Sequence, residues 1–332
     1  MFLGVDGGGT KTAFCLVTEG GEVAAQVRGP STDYFSVGID LVGRVLRDGV
    51  AALCAEAGTT PDGVRHAFFG LPTYGEASGD IPTLQTAARD ALGHDRYTCG
   101  NDMVCGWAGS LGGADGINVV SGTGSIAYGE HDGRTARVGG WGELFGDEGS
   151  AYWIGIRGLA RFSKMSDGRL APGPLHTLVR EHLDLHDDLD LVDVVLNRWQ
   201  GDRSRIAALS RVVVAAADQG DRHAGEILAE AARELVDTVD TARVRLGFPD
   251  DRPVPVSHSG GVFTAGSSIV DTFHKELEGR HAAYEPRDPL HPPHIGAAIY
   301  AAKLSAEPLG DTALLRLRSA PSPSLGEDDE EQ

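Results

Sequence analysis

The chain has 332 residues, with 29 Lys and Arg against 48 Asp and Glu and a formal net charge of −19. Such a length holds about two domains with ample cores, while the acidic balance excludes general nucleic-acid binding, which needs a basic face to release counterions. No stretch approaches the ~18 consecutive apolar residues of a membrane span and no secretory leader pattern opens the chain, so a soluble, cytoplasmic protein is expected.

Glycine, at 46 residues, reaches about twice its average usage. The glycines fall in short runs, which points to tight turns rather than linkers. The first run interrupts two strand-like stretches: Phe2–Asp6, then Gly7-Gly8-Gly9-Thr10-Lys11-Thr12, then Ala13–Val17, which reads as a β-hairpin. A third strand is expected near Glu22–Val27 and a helix from Gly38 to Ala57, with Gly58 where a C-cap glycine belongs. His66–Leu71 and Arg96–Cys99 read as further strands, and Met103–Leu111 as a helix.

At Ile117 the opening pattern recurs. Ile117–Val120 leads into Ser121-Gly122-Thr123-Gly124-Ser125 and a second strand, with another turn at His131–Arg134. A repeat on this scale means duplicated domains, not a solenoid. Beyond Gly149 the pattern turns helical, with Ser150 as a cap for Tyr152–Phe162 and a long helix over Ala224–Leu246 stopped by Gly247. Val254–Ser259 is a strand entering Gly260-Gly261, followed by a helix near Ser267–Leu277. Pro286, Pro289, Pro292 and Pro293 mark a connector, in which His291 and His294 read as a surface turn. A last apolar helix covers Ile295–Leu304, and the acidic end of the chain reads as disordered. Cys15, Cys54, Cys99 and Cys105 form no CxxC or Cys/His pattern, so buried, reduced thiols are expected.

Four groups of residues carry chemistry. A tight glycine hairpin lets backbone N–H groups converge on an anion, and a Thr hydroxyl adds a donor. Gly7, Gly8, Gly9, Thr10, Lys11 and Thr12 fit a phosphate in this way, and Asp6 just before them could hold the Mg²⁺ that accompanies a nucleotide. Gly122, Thr123 and Gly124, between Ser121 and Ser125, make the same offer at the matching point of the repeat. Asp102 stands at the end of a strand, where a carboxylate projects into the ligand crevice of an open sheet and can accept a proton; as an isolated residue it reads more readily as a helix N-cap. The stretch Gly139–Ser150 mixes Gly140, Trp141, Glu143, Asp147 and Glu148, and so offers hydroxyl acceptors and a flat apolar surface to a polyhydroxylated ligand.

Taken together, Gly4–Thr12, Ser31-Thr32-Asp33, Asn101-Asp102, Ser121–Ser125 and Gly140–Ser150 with its continuation Ala151–Ile154 resemble the N-acetylglucosamine kinase branch of the BadF/BadG/BcrA/BcrD ATPase family, within the actin-like ATPase and sugar kinase superfamily. That resemblance implies an α/β fold of two RNase H-like domains with a nucleotide and sugar cleft between them. It divides the chain into an N-terminal domain over 1–115, a C-terminal domain with a helical insertion over 116–288, a helix over 289–305 returning to the first domain, and a disordered tail over 318–332. ATP and Mg²⁺ are its cofactors and a sugar or amino sugar its substrate; nucleic acid and membranes are not expected partners, and a homodimer is left open. Position by position, the resemblance gives the two glycine turns to phosphate and Asp102 to deprotonation of the sugar's C6 hydroxyl. It places Asp33, Ser125, Gly140, Trp141, Glu143, Asp147 and Glu148 in the sugar pocket, and Gly220, Gly260 and Gly261 around the adenosine.

Two positions depart from the family pattern. Asp33 stands where Asn is usual, and Glu143 where mammalian members carry His. Asn donates and accepts, whereas ionised Asp only accepts and carries charge. A free amine, as in glucosamine, would gain a charge-assisted bond there, so the acceptor reads as N-acetylglucosamine or a close relative such as glucosamine. Alternatives are a kinase of another amino sugar or a carbocyclic analogue, and an ATP-hydrolysing activator of the BadF type. The activator needs closely paired cysteines, which this sequence lacks.

Overall fold

A computed structural model describes residues 1–280 and 282–319. The chain divides into two units: Met1–Ala114 with the chain from Asp288 on, and Asp115–Arg287. Among the described residues no helix is long and apolar enough to cross a membrane.

The first unit is built on a five-stranded sheet of β1 (Phe2–Gly7), β2 (Lys11–Val17), β3 (Val23–Pro30), β4 (His66–Leu71) and β5 (Tyr97–Asn101), in the order β3-β2-β1-β4-β5. The β1–β2 and β2–β3 pairs are antiparallel, and β1–β4 and β4–β5 are parallel. In the second unit β6 (Gly116–Ser121), β7 (Ser125–His131), β8 (Arg134–Gly139), β9 (Val254–Ser259) and β10 (Tyr284–Arg287) take the order β10-β9-β6-β7-β8. Again the first pair of contacts is antiparallel and the rest parallel. The two sheets therefore share one topology, and the sequence repeat is a repeat of fold.

Each sheet is buried by its own core. In the first unit Leu3, Val5, Phe14, Leu46, Leu53 and Phe69 are fully buried, each worth about 1.5–3 kcal/mol of transfer free energy. The helix Ile39–Glu56 presents Val42, Leu46, Val50 and Leu53 to that core, and Gly58 (φ +63°) follows its end. In the second unit Arg222–Leu246 buries Ile227, Ala231, Leu235, Val239, Ala242 and Leu246. This helix starts two residues before the predicted Ala224, because the Asp221 carboxylate accepts the His223 and Ala224 N–H groups.

Several elements differ from the sequence expectation. The third strand runs to Pro30. The helices Ile81–Leu92 and Pro174–His182, and the short ones between Asp190 and Asp218, are additions to the sequence expectation; the first two bury Leu84, Ala88 and Leu92, and Leu175 and Val179, respectively. Pro286 lies inside β10, an edge strand that needs no full set of N–H donors, and Pro293 opens the last buried helix. His291 and His294 are not on a surface turn but buried; His294 faces Gln26 Oε1 at 2.8 Å, and burial pushes its imidazole down to about 4. Arg318 and Ser319, expected in a disordered tail, close the helix Asp311–Ser319; residues 320–332 lie outside the described residues.

The helix Pro293–Leu304 is buried along nearly its whole length because small residues face β1 and the helix Met103–Leu111. A Cβ on Gly296 would stand 2.2 Å from Gly109 N and 2.3 Å from Cys105 O, and one on Gly4 would stand 2.3 Å from Ala298 N. Backbone meets backbone there, and no side chain can yield. Gly296→Ala is expected to lower stability by about 1–3 kcal/mol, the usual cost of overpacking, in chemical denaturation. Gly310→Ala, with open space around it, is the control; equal stability of the two variants would refute the packing account.

Candidate functional site

In the first unit the site residues gather at the C-terminal end of the parallel strands. The β1–β2 register pairs Asp6 with Ala13 and Gly7 with Thr12, and Gly8 N donates to Lys11 O at 2.9 Å. Gly9, Thr10 and Lys11 form the exposed tip. Ser31, Thr32 and Asp33 are fastened to the base of this turn. Ser31 Oγ donates to Gly8 O at 2.8 Å, Thr32 Oγ1 lies 3.1 Å from Thr12 Oγ1, and Asp33 N donates to Ser31 Oγ at 3.0 Å. A side chain at Gly7 would strike Thr32 Oγ1. The half-buried Asp33 is thus carried by the same fastening that shapes the predicted phosphate turn.

Asp102 follows β5 directly. It occupies the N-cap position of Met103–Leu111, but its side chain makes no cap hydrogen bond. Asn101 caps instead, its Oδ1 accepting the Met103 N–H at 3.1 Å. Capping is therefore not what the Asp102 carboxylate does. Gly70 on β4 leaves room for this corner, since a Cβ there would stand 2.2 Å from Cys105 Sγ and 3.3 Å from Asp102 Cα. Asp6 is pushed well above the usual carboxylate range, first by burial and then by the negative charge of Asp102, with a Cys105 hydrogen bond opposing.

The second unit assembles its residues by hydroxyl-to-carbonyl bonds. Gly122 N donates to Gly124 O at 2.9 Å across the turn that joins β6 and β7. Ser121 Oγ donates to Gly149 O at 2.9 Å, Ser125 Oγ to Glu148 O at 2.7 Å, and Ala151 N to Gly122 O at 2.8 Å. The acidic loop is thereby bolted to the second glycine turn, and Ser150 caps the helix Ala151–Ser166 that leaves it. Gly260 (φ +101°) abuts the same turn, where a Cβ would stand 2.4 Å from Ser121 O; Gly261 beside it opens onto free space. Gly220 lies in the turn before the Arg222–Leu246 helix, whose Asp218 hydrogen-bonds Ser268.

Within the acidic loop the side chains part company. Asp147 adopts φ +55° and its side chain is 3% exposed. It accepts from Gly142 N at 3.2 Å and from Arg203 at 2.7 Å. Burial pushes its carboxyl up, and Arg203 pulls it back. Glu143 pairs with the same guanidinium at 3.3 Å, so a single positive charge is shared by two carboxylates. Glu148 faces the long helix, where it helps burial to raise Glu234. Trp141 is 71% exposed, and Leu144 and Phe145 beside it are exposed as well. A tryptophan packed into the core is excluded.

Sequence reasoning missed Asn101 as the helix cap and Arg203 as the partner of two loop carboxylates. Neither belongs to a periodic pattern, and Arg203 lies 56 residues from Asp147 along the chain; only the fold joins them.

Comparison with known proteins decides the relationship. Residues 3–301 match the BadF/BadG/BcrA/BcrD ATPase family. The chain belongs to that family. As a member of it, the chain uses ATP. It is 34% identical to an N-acetylmuramic acid/N-acetylglucosamine kinase of Clostridium acetobutylicum over 83% of this chain and 89% of that one. It is 28% identical to an N-acetyl-D-glucosamine kinase of Dictyostelium discoideum over 91% of this chain and 97% of that one. Among solved structures it is similar to a candidate N-acetylglucosamine kinase of Chromobacterium violaceum, at 26% identity and a TM-score of 0.69, covering 89% of this chain and 96% of that one.

The raised Asp6 carboxyl makes this family member's stability depend on pH in a set direction. A group whose folded-state pKa is raised stabilises the protein below its unfolded value, about 3.9 for Asp, and that contribution is lost as pH rises through the folded value. Asp6→Asn removes the ionisation. Its thermal midpoint, measured without nucleotide, should exceed that of the wild type at pH 7 and converge with it toward pH 4. A variant no more stable at pH 7 would contradict the stated burial and repulsion.

Proposed function

We propose that the chain is an ATP-dependent amino-sugar kinase that phosphorylates the C6 hydroxyl of N-acetylglucosamine or a close relative such as glucosamine. The names of its relatives support the substrate class, and the observation that carries the mechanism is the Asp6–Asp102 corner at the end of the sheet. Asp102 accepts the proton of the sugar's O6. That oxygen attacks the γ-phosphorus, the bond from γ-phosphorus to the bridging oxygen breaks, and ADP departs with the bond's electrons. Phosphoryl transfer asks the protein for positioning and charge stabilisation rather than covalent chemistry.

Backbone N–H groups of Gly7–Thr12 and of Gly122, Thr123 and Gly124 present donors to phosphate oxygens, with Gly220, Gly260 and Gly261 around the adenosine. Asp6 supplies a hard carboxylate oxygen at the end of β1, the donor type a divalent cation prefers. Mg²⁺ fits this donor, and when bound it neutralises charge on the nucleotide phosphates. Asp33, Ser125, Gly140, Trp141, Glu143, Asp147 and Glu148 line the sugar.

With Glu143 paired to Arg203, the departure that bears on an amine is Asp33. An ionised Asp33 favours a free amine over an acetamido group. Incubating the protein with Mg-ATP and a panel of sugars and amino sugars, then locating the new phosphate by NMR, tests the reading directly; no sugar-dependent ADP release would end it. Asp102→Asn should lower kcat by ~10²–10⁴, the usual worth of a general base, with nucleotide binding retained; full turnover would remove Asp102 from the role. Asp33→Asn should shift the kcat/KM ratio from glucosamine toward N-acetylglucosamine, and an unchanged ratio would reject the charge argument.

A further inference from the structure

Arg203 opens the short helix Arg203–Ala208, inside the helical stretch that the family resemblance gave no part in the site. Its guanidinium reaches Asp147 Oδ2 at 2.7 Å and Glu143 Oε2 at 3.3 Å. It also lies against the second glycine turn: a Cβ on Gly124 would stand 2.6 Å from Asp147 Oδ2 and 2.8 Å from the Arg203 Nη2. The Asp147 carboxylate takes backbone N–H bonds from Gly142 in its own loop and Ser125 at the turn. One ion pair thus touches the loop assigned to the sugar, the turn assigned to phosphate and a helix from elsewhere in the unit. The Arg203 side chain remains 42% exposed while that of Asp147 is 3% exposed.

We propose that Arg203 is a positioning residue for the sugar: it fixes the buried Asp147 against the Gly124 turn and keeps it an ionised acceptor for the sugar's hydroxyls. This rests on the amino-sugar kinase reading. Asp147 stands at a left-handed backbone position, where a non-glycine residue persists only if its surroundings hold it. The planar fork of a guanidinium presents its N–H donors to the two carboxylates in a fixed geometry, which the point charge of an ammonium does not. With Arg203 removed, the charged group left facing Asp147 is Glu143, whose negative charge, like burial, favours the protonated acid. A protonated Asp147 loses acceptor capacity toward hydroxyl groups.

The test compares wild type, Arg203→Gln, Arg203→Lys, Asp147→Asn and the double variant Asp147→Asn/Arg203→Gln by steady-state kinetics on the best sugar of the panel, with nucleotide binding titrated separately. Arg203→Gln should raise the sugar KM ~10–100-fold, the range for a hydrogen bond to a charged group, with nucleotide affinity changed less than ~3-fold. The acid limb of its kcat/KM profile for sugar should move to higher pH. Arg203→Lys should return that limb toward the wild-type position. In the Asp147→Asn background the same Arg203→Gln change should add less than ~3-fold, because the group it acts through has lost its charge. Loss of nucleotide binding in step with sugar binding, an unmoved acid limb, or an undiminished effect in the Asp147→Asn background would overturn the proposal. Should Arg203→Gln fail to fold, the acid limb of Arg203→Lys against wild type decides alone: its KM must rise and its limb stay put. A wild type without sugar-dependent turnover would overturn the kinase reading itself, a different result from an active wild type whose variants show no Asp147-dependent loss.

Discussion

Two carboxylates, Asp6 and Asp102, are held close enough in partly dry surroundings that one raises the proton affinity of the other. Like charges and burial both oppose this arrangement, so it persists only because the scaffold leaves it no alternative. Gly70 admits the Asp102 corner against β4, Asn101 takes over the cap, and the small-residue helix Pro293–Leu304 clamps the helix that Asp102 starts. Together these features fix the corner. A protein selected for stability alone would place an amide or an apolar side chain there.

The two glycine turns share a topology and differ in how they are fixed. In the first unit the bracing comes from a neighbouring turn: Ser31 and Thr32 reach Gly8 and Thr12. In the second, the turn's own serines reach outward to the acidic loop at Gly149 and Glu148. The duplicated strands gave evolution two equivalent turns, and each half then tied its turn to a different segment. Asp33 in one unit and Asp147 in the other are the side chains so delivered, the first tied to its glycine turn through the Ser31 hydroxyl and the second through its own carboxylate rather than by a strand of their own.

The hairpins, the sheet-to-helix alternation and the long helix Arg222–Leu246 were legible in the sequence because their signals are local: glycine runs between β-branched stretches, apolar spacing and a capping aspartate. The residues of the two turns and of Gly140–Ser150 were legible from chemistry and from family resemblance together. What escaped was decided by contacts far apart in the chain. The helix Ile81–Leu92 is recognisable once Leu84, Ala88 and Leu92 have a core to face. His291 and His294 looked like a surface turn among prolines, but the helix beginning at Pro293 buries them. Asp102 could be read as a cap until Asn101 was found to do that work.

Charge gives the clearest case of fold changing the meaning of a residue. In the sequence, Asp33 and Glu143 look equivalent, two acidic replacements near a sugar pocket that would both draw a cationic ligand. In the fold, Glu143 and Asp147 share one guanidinium, and the pair's outward field is reduced by that positive charge. Asp33 instead hangs from Ser31 beside the first turn, with Asp6 and Asp102 in the same unit. The two acidic replacements therefore stand in different surroundings, one in each unit.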